Sequence, residues 1–350
     1  MTRLPFSTVY ISGLQAGKSI QDILLAVPVN FLLNFIFAIP ILVLLKRHPG
    51  KDLIECAKNI IGKPFSILVA IFYLLCFLYS ATMIQSSFQV FFVNSVIPEI
   101  GYAAIAIPIL LISFYGAVKG IESLMRFGGL VIAAYLIILV VLDASMIPSI
   151  NLNFLFHQLY SGPQYFIKAV LNGVNTNIQI VFLAFCAPFL KLGTRIGKIF
   201  LKWNVIAMSL FLCLEFFIVT VLGPFGAKQI TPLFTLPMQS QIIVFERLDM
   251  LDAVSWILNA ILLTAFFIYL ATTCFNKIGF RKRNRLTAFI VSAIIFASVY
   301  YLSSSRRFLD QITFSPYLTV VTIVAQIILP LIILMADVLK GRFTAYEGTS

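Results

Sequence analysis

Positive charge in this chain is concentrated in every second connection between long apolar segments. Apolar runs of about 20 residues follow one another almost from end to end, and a helix needs that length to cross a hydrocarbon core about 30 Å thick. Of the 25 Lys and Arg residues, 18 fall in one alternating set of connections and only six in the opposite set. Cytoplasmic loops carry an excess of Lys and Arg. The pattern therefore predicts an all-α polytopic membrane protein with connections 46–63, 119–126, 191–202 and 277–285 and the C-terminus on the cytoplasmic side.

The composition excludes several other classes of protein. The chain is 61% hydrophobic and 11% charged, and its apolar runs are continuous, without the alternation of polar and apolar residues that a membrane β-barrel strand requires. The basic residues form no solvated stripe of the kind that binds nucleic acid. Membrane lipid is the expected surroundings, and no nucleic-acid partner is expected.

The apolar runs predict about ten transmembrane helices. Two long connections, 148–168 and 223–247, would lie on the outer side, either as amphipathic surface helices or as a lid over a binding site. A short apolar opening over 4–14 is too short to cross a bilayer alone. The remaining spans, numbered two to ten, cover about 22–45, 64–96, 102–118, 123–146, 169–190, 199–222, 248–275, 286–302 and 316–339.

The chain carries no recognisable catalytic or metal-binding constellation. Its five cysteines are dispersed without a Cys-x-x-Cys motif, and its two histidines are far apart. No P-loop, dinucleotide fingerprint or nucleophile–base pairing is present in the sequence. We therefore expect no enzyme, no cofactor and no metal, and we interpret the cysteines as apolar packing residues.

Polar side chains inside the spans are the candidates for a binding site, because burying them in lipid is costly. In span six, Asn175, Thr176, Asn177 and Gln179 follow Gly173, which predicts either an interrupted helix that exposes backbone groups or a cap at the interface. In span three, Thr82, Ser86 and Gln89 share one helical face below Tyr79. Interhelical hydrogen bonding and ligand contact explain that face equally well.

Other polar positions favour a structural interpretation. Asn30 and Asn34, four residues apart in span two, are interpreted as packing contacts. Glu215 lies in the middle of span seven, where a carboxylate needs a partner or stays protonated; a proton-relay role is the alternative. The charged residues at the start of span eight are interpreted as a structural motif that caps the helix and pairs internally; they are Glu246, Arg247 and Asp249.

Four segments resemble one membrane-protein family. They are HPGKDLIECAKNIIGK at 48–63, Gly-Ile-Glu at 120–122 followed by Arg126, Ala-Pro-Phe-Leu-Lys at 187–191, and FERLDMLDAVSWI at 245–257. Their sequences and their order are similar to those of the integral-membrane B subunits of spore germination receptors, which are amino acid permease relatives of the APC superfamily. The last segment is the most specific.

The resemblance implies a single transmembrane domain with the five-plus-five inverted repeat of the LeuT type. The first repeat would cover 1–146, an outer connection 147–168, the second repeat 169–340 and a cytoplasmic tail 341–350. Helices one and six would be broken around a small-molecule site. The family's first helix has an N-terminal half before the part that corresponds to 4–17, so we expect either that the start of this chain is misassigned or that its first helix is truncated.

The resemblance also implies a function. The chain would be a nutrient-sensing receptor subunit that binds a small germinant, typically an amino acid, in the inner membrane of the spore. Its partners would be an A subunit with cytoplasmic domains and a C-subunit lipoprotein on the outer face. The alternative is an amino acid secondary transporter, proton-coupled through Glu215.

A ligand site is expected between spans one, three, six and eight. The ligand's carboxylate would face free backbone amides at a half-helix start. Members of the family often carry an acidic residue in span six where this chain has Asn177 and Gln179. The expected ligand-binding residues are Thr82, Met83, Ser86, Gly173, Asn177, Gln179 and Asn259.

Overall fold

The computed structural model describes residues 21–95, 101–156, 162–164, 166–167, 170, 179–191, 193–229, 232, 235–236, 248–279, 284–303 and 316–347. All regular secondary structure in these residues is helical. The α-helices are α1 (Asp22–Arg47), α2 (Leu53–Ile60), α3 (Lys63–Ser95), α4 (Tyr102–Lys119), α5 (Ile121–Met146), α6 (Gln179–Cys186), α7 (Ile196–Phe217), α8 (Leu248–Ile278), α9 (Asn284–Ser303), α10 (Pro316–Ile323) and α11 (Leu329–Glu347).

The described helices agree with the predicted spans. Seven helical segments in the described ranges are long and apolar enough to cross a membrane. Two shorter apolar helices are present: Ala103–Lys119 coincides with span four, and Ile180–Phe189 with the second half of span six. The predicted run at 4–14 lies outside the described residues. The count of ten and the five-plus-five repeat stay predictions.

Two of the predicted spans are not continuous α-helices. A π-helical turn over Ile218–Leu222 extends α7, and another over Val324–Ile328 separates α10 from α11. In a π turn the backbone hydrogen bonds span five residues instead of four, so the pairing of the backbone carbonyls differs from that in an α-helix. Within the second π turn, the Ala325 carbonyl oxygen accepts a 2.7 Å hydrogen bond from the hydroxyl of Tyr73, which is fully buried on α3. The tertiary contact therefore gives the buried Tyr73 hydroxyl an acceptor.

Helix α8 lies at the centre of the bundle and packs against α3, α4, α5 and α9. Aromatic rings fill the space where α3, α6 and α8 meet. The ring centroids of Phe77 and Phe185 are 5.1 Å apart, and those of Phe182 and Phe267 are 4.9 Å apart. This packing places span six beside spans three and eight.

Charged residues from distant parts of the chain meet at one end of the bundle, which we call the basic end. The Lys277 ammonium on α8 pairs with Asp52 and with Glu55, the latter at 3.0 Å. Asp52 also caps the N-terminus of α2, where its side chain accepts a hydrogen bond from the Glu55 backbone amide at 2.9 Å. Burial raises the pKa of the Asp52 carboxyl, and Lys277 opposes that rise. Asp52 and Lys277 thus hold α2 against the end of α8.

The C-terminal helix joins the same end. The Arg47 guanidinium at the end of α1 lies 2.5 Å from the Asp337 carboxylate, and the His48 ring lies 3.0 Å from it. The Lys340 ammonium donates to the backbone oxygen of Ile60 at 2.8 Å. Three connections that the charge pattern predicted to share one membrane side are therefore adjacent. Their cytoplasmic location stays a prediction.

The connection after α5 folds onto the end of α7. It begins as two short 3₁₀ turns, Ile147–Ser149 and Leu152–Leu155, where the sequence predicted a surface helix or a lid. The Asn151 backbone amide donates to the Thr220 carbonyl oxygen at 2.9 Å. Gly223 has a φ of +50°, and a Cβ there would lie 2.7 Å from the Phe154 ring, so only glycine fits. The described part of the connection is thus fixed at the end opposite the basic end.

Candidate functional site

The polar face of α3 is completely buried. Gln85, Ser86 and Gln89 are each 0% exposed. Gln85 is held from two sides, because its amide donates to the Ala106 carbonyl oxygen at 3.4 Å and its oxygen accepts from the Thr264 hydroxyl at 3.3 Å. Gln85 therefore ties α3 to both α4 and α8.

The next residues on α3 are buried without comparable partners. Among the residues that the structure describes, the hydroxyls of Ser86 and Ser87 and both polar atoms of the Gln89 side chain have no hydrogen-bond partner. A buried polar group that lacks a partner costs about 1–3 kcal/mol. Such groups mark a place that a ligand or ordered water would satisfy.

The other two predicted residues of α3 differ from Ser86. The Thr82 hydroxyl donates to the Leu78 carbonyl oxygen of its own helix at 2.8 Å, so it is already paired. Met83 is buried and contributes an apolar surface. Of the three predicted contacts on this helix, only Ser86 has a polar atom that lacks a partner.

Asn259 lies on α8, which packs against α3. It is buried, and its amide donates to the Ser255 carbonyl oxygen at 2.9 Å, while its side-chain oxygen finds no partner in the described part of the chain. Two contacts fix the register of these antiparallel helices: the Gln85–Thr264 hydrogen bond, and the Phe91 and Trp256 rings at 4.5 Å. Asn259 and Gln89 fall between these contacts at the same level along the bundle.

The predicted residues of span six cannot be placed relative to that level. Gly173 and Asn177 lie outside the described residues, and Gln179 opens α6 with its side chain outside them. The predicted interruption between Gly173 and Gln179 therefore stays a prediction. The chain continues into Phe182 and Phe185, which pack on Phe77 of α3.

The charged motif before α8 lies almost wholly outside the described ranges. Glu246 and Arg247 are not described, and Asp249 is described only through its helical backbone. Their structural role stays a prediction.

Glu215 is buried in α7 and is 2% exposed. One of its carboxylate oxygens, Oε2, has no hydrogen-bond partner among the described residues. The two structural states that the sequence allowed, a partnered carboxylate and a protonated acid, both stay predictions.

The two asparagines of span two make the packing contacts that the sequence predicted. The Asn30 amide donates to the Val170 carbonyl oxygen at 2.9 Å, and the Asn34 amide donates to the Asn204 side-chain oxygen at 2.8 Å. These bonds tie α1 to span six and to α7. The interpretation of both residues as packing contacts is confirmed.

The described residues contain no group of three or more His, Cys, Asp or Glu side chains that could hold a metal ion. The five cysteines are free thiols, and all except Cys213 are buried. The unpartnered polar groups of Ser86, Gln89 and Asn259 are hydroxyl and amide groups, and none of them is a thiol or a charged side chain.

Comparison with known proteins identifies the family of the chain. No curated protein matches it significantly. The family model described as "Spore germination protein", the spore permease family, matches residues 2–307. This match covers most of the chain and agrees with the resemblance that the four sequence segments carry. The chain belongs to the spore permease family of spore germination proteins.

Proposed function

We propose that this membrane protein is the nutrient-sensing subunit of a spore germinant receptor and that it binds a small germinant such as an amino acid. The observation that carries the proposal is the set of buried polar atoms without partners that α3 and α8 bring to one level. They belong to Ser86, Gln89 and Asn259. Family membership supports a role in germination.

The chemistry of these groups suits a zwitterion of amino acid size. Hydroxyl and carboxamide groups both donate and accept hydrogen bonds, so they can meet an ammonium and a carboxylate without a net charge in the site. Met83 would contact the ligand's side chain. The carboxylate would face free backbone amides near Gly173 and Asn177, if span six is interrupted there.

The proposal includes partners and a location. A receptor A subunit with cytoplasmic domains and a C-subunit lipoprotein would assemble with this chain in the inner membrane of the spore. The C-terminus would be cytoplasmic. Support for that orientation comes from Arg47, Lys277 and Lys340, which the fold gathers at the basic end.

Ser86→Phe tests the site, because a phenyl ring at a fully buried serine would fill the space that a ligand needs. In spores that carry the complete receptor, we expect a higher germinant concentration for half-maximal germination at normal receptor abundance. Ser209→Phe is the matched control, since it adds the same ring at an exposed position of α7. Abundance is measured by immunoblot of the spore membrane.

Asn177→Ala completes this test from span six. It should also raise the germinant requirement, because it removes a polar contact at the proposed half-helix start. An unchanged dose response for both Ser86→Phe and Asn177→Ala would refute this placement of the site.

An amino acid–proton transporter is the second candidate, and the buried Glu215 carboxyl with an unpartnered oxygen favours it. Proteoliposomes with an imposed pH gradient distinguish the two. A transporter would accumulate labelled amino acid and lose this uptake in Glu215→Gln. A receptor subunit would bind the amino acid without accumulating it, and Glu215→Gln would leave the germination response unchanged.

A further inference from the structure

The start of α7 carries four exposed basic side chains. Arg195 is the N-cap of the helix, and Lys198 and Lys202 follow at intervals of three and four residues, so these three lie on one face. Lys191 lies four residues before Arg195 and is also exposed. We call the four side chains the basic patch. The sequence from 191 to 214 contains no Asp or Glu that could neutralise it.

The basic patch differs from the buried charge at the same end of the bundle. Lys277 pairs with Asp52 and Glu55, whereas none of the four patch side chains forms an ion pair with a described residue. Like charges four residues apart on a helix repel, and cations are unfavourable at the positive end of the helix dipole. Both effects disfavour the patch in the isolated chain, and an external anion would relieve them.

The start of α7 lies at the basic end. Asn34 on α1 bonds to Asn204 on α7. Phe31, earlier in α1, packs on Phe211, later in α7, with ring centroids 6.3 Å apart. The two helices are therefore antiparallel, and α7 begins at the end of the bundle where α1 finishes with Arg47.

The length of this span leaves its start outside the hydrocarbon. The helical segment Ile196–Gly226 has 31 residues, which rise about 45 Å, whereas the hydrocarbon core is about 30 Å thick. Lys and Arg avoid the hydrocarbon, and their long side chains reach towards the interface. The basic patch therefore lies at the level of the lipid headgroups.

The same face of α7 continues into the membrane as an apolar surface. Val205 and Ile206 follow Lys202 by one helical turn and are 49% and 42% exposed. Exposed apolar side chains at this depth contact acyl chains. Basic residues beside a membrane span attract anionic lipids. A molecule that joins a phosphate to an acyl chain thus matches both parts of this face, whereas a free phosphate ion matches only the first.

We propose that this face of α7 binds an anionic phospholipid. Its phosphate lies between Arg195, Lys198 and Lys202, and an acyl chain lies along Val205 and Ile206. The lipid site is independent of the germinant site, which uses other helices. It is also independent of the side of the membrane that the basic end faces.

A tryptophan at position 205 reports the lipid directly, because bromine atoms on an acyl chain quench a tryptophan that they contact. The full chain carries Trp203→Phe, Trp256→Phe and Val205→Trp, which leaves one source of tryptophan emission. It is reconstituted in phosphatidylcholine bilayers with a fixed fraction of brominated phosphatidylglycerol or brominated phosphatidylcholine. We expect a preference of about fivefold or more for phosphatidylglycerol, since one basic residue near an anionic surface gives about that factor.

Leu130→Trp, in place of Val205→Trp, is the positional control. Leu130 is an exposed apolar residue of α5, one turn after Arg126. Arg126 is already paired with Glu122. Both brominated lipids should therefore quench a tryptophan at position 130 to the same extent.

Neutralising the patch tests the role of its charges. Arg195→Gln combined with Lys202→Gln should remove most of the preference at position 205. Lys58→Gln combined with Lys63→Gln is the matched control, because it removes the same net charge from exposed positions at the starts and ends of neighbouring helices. That control should retain the preference.

Three outcomes would overturn the proposal. Equal quenching by the two lipids at position 205 would leave this face to an acidic segment of a partner protein. An undiminished preference after Arg195→Gln and Lys202→Gln would place the lipid elsewhere. Loss of the preference in inorganic phosphate, but not in chloride of the same ionic strength, would assign the patch to a free phosphate ion.

A second measurement applies if the tryptophan variants do not give a monodisperse protein. The chain with its natural tryptophans is unfolded thermally in a neutral detergent with added phosphatidylglycerol or phosphatidylcholine. Phosphatidylglycerol should raise the midpoint more, and Arg195→Gln with Lys202→Gln should lose the difference. Equal midpoints with the two lipids would count against the proposal.

Discussion

The side-chain amide of Asn34 donates a 2.8 Å hydrogen bond to the side-chain oxygen of Asn204, and this bond joins α1 to α7 inside the bundle. The Asn204 amide in turn donates to the Phe31 carbonyl oxygen at 3.0 Å. Both asparagines are buried. Asn204 thus connects α1 and α7 through two bonds that water does not reach.

Asn204→Ala should lower the free energy of unfolding by about 1–2 kcal/mol, because it removes the acceptor of the buried Asn34 amide and the bond from Asn204 to the Phe31 carbonyl oxygen. The measurement is unfolding by increasing fractions of a denaturing detergent. A double-mutant cycle of Asn34→Ala and Asn204→Ala should give a coupling energy of about 0.6 kcal/mol between the two side chains. Asn153→Ala, at an exposed position, is the control. Strictly additive single effects would contradict an Asn34–Asn204 bond.

Lys277→Met should destabilise the protein strongly. Asp52 is 3% exposed and pairs with Lys277, so the variant leaves a buried carboxylate without its cation. Breaking a buried pair from one side costs on the order of 3 kcal/mol. Thermal unfolding in detergent is the measurement. Lys198→Met, at an exposed position of α7, should have little effect.

The pH dependence of the stability of Lys277→Met tests whether the uncompensated Asp52 charge causes the loss. Burial raises the pKa of Asp52 and Lys277 lowers it, so without Lys277 the folded state holds the Asp52 proton more tightly than the unfolded state does. The stability of the variant should therefore fall as the pH rises through this raised pKa. Its difference from the wild type should shrink at acidic pH and after addition of Asp52→Asn. A pH-independent loss would exclude an uncompensated Asp52 charge as the cause.

Cysteine labelling tests the orientation of the bundle. A membrane-impermeant thiol reagent applied from outside should modify Asn153→Cys and spare Lys58→Cys, since the charge pattern places α2 on the cytoplasmic side. Both positions are exposed in the structure. Cys213, the exposed native cysteine, is first replaced by serine to remove background. The reverse labelling pattern would invert the topology.

Arg247→Ala should lower the amount of protein in the membrane. The sequence predicts that Arg247 pairs with Glu246 and Asp249 at the start of α8, and an uncompensated partner in a partly buried group costs on the order of 3 kcal/mol. Arg126→Ala is the matched control, because Arg126 pairs with Glu122 on an exposed face. Normal abundance of Arg247→Ala with a selectively altered germinant response would place the motif in the binding site.

The sequence by itself determined the helices and the grouping of their ends. The prediction for span two, 22–45, became Asp22–Arg47, and that for span three, 64–96, became Lys63–Ser95. Such agreement has a physical cause, because lipid leaves the backbone no partner except its own helix. The Lys and Arg residues in the connections then indicate which connections lie at the same end of the bundle. The Lys277–Asp52 pair shows this for connections 46–63 and 277–285.

Only the tertiary structure decided which polar groups found partners. Helical periodicity placed Thr82 and Ser86 on one face, yet the first is bonded to its own helix and the second has no partner in the described part of the chain. Helical periodicity likewise could not show that Asp143 on α5 and Asp252 on α8 line one cavity. The reason is that spacing specifies the face of a helix, whereas the atoms opposite that face depend on how helices far apart in the sequence pack together.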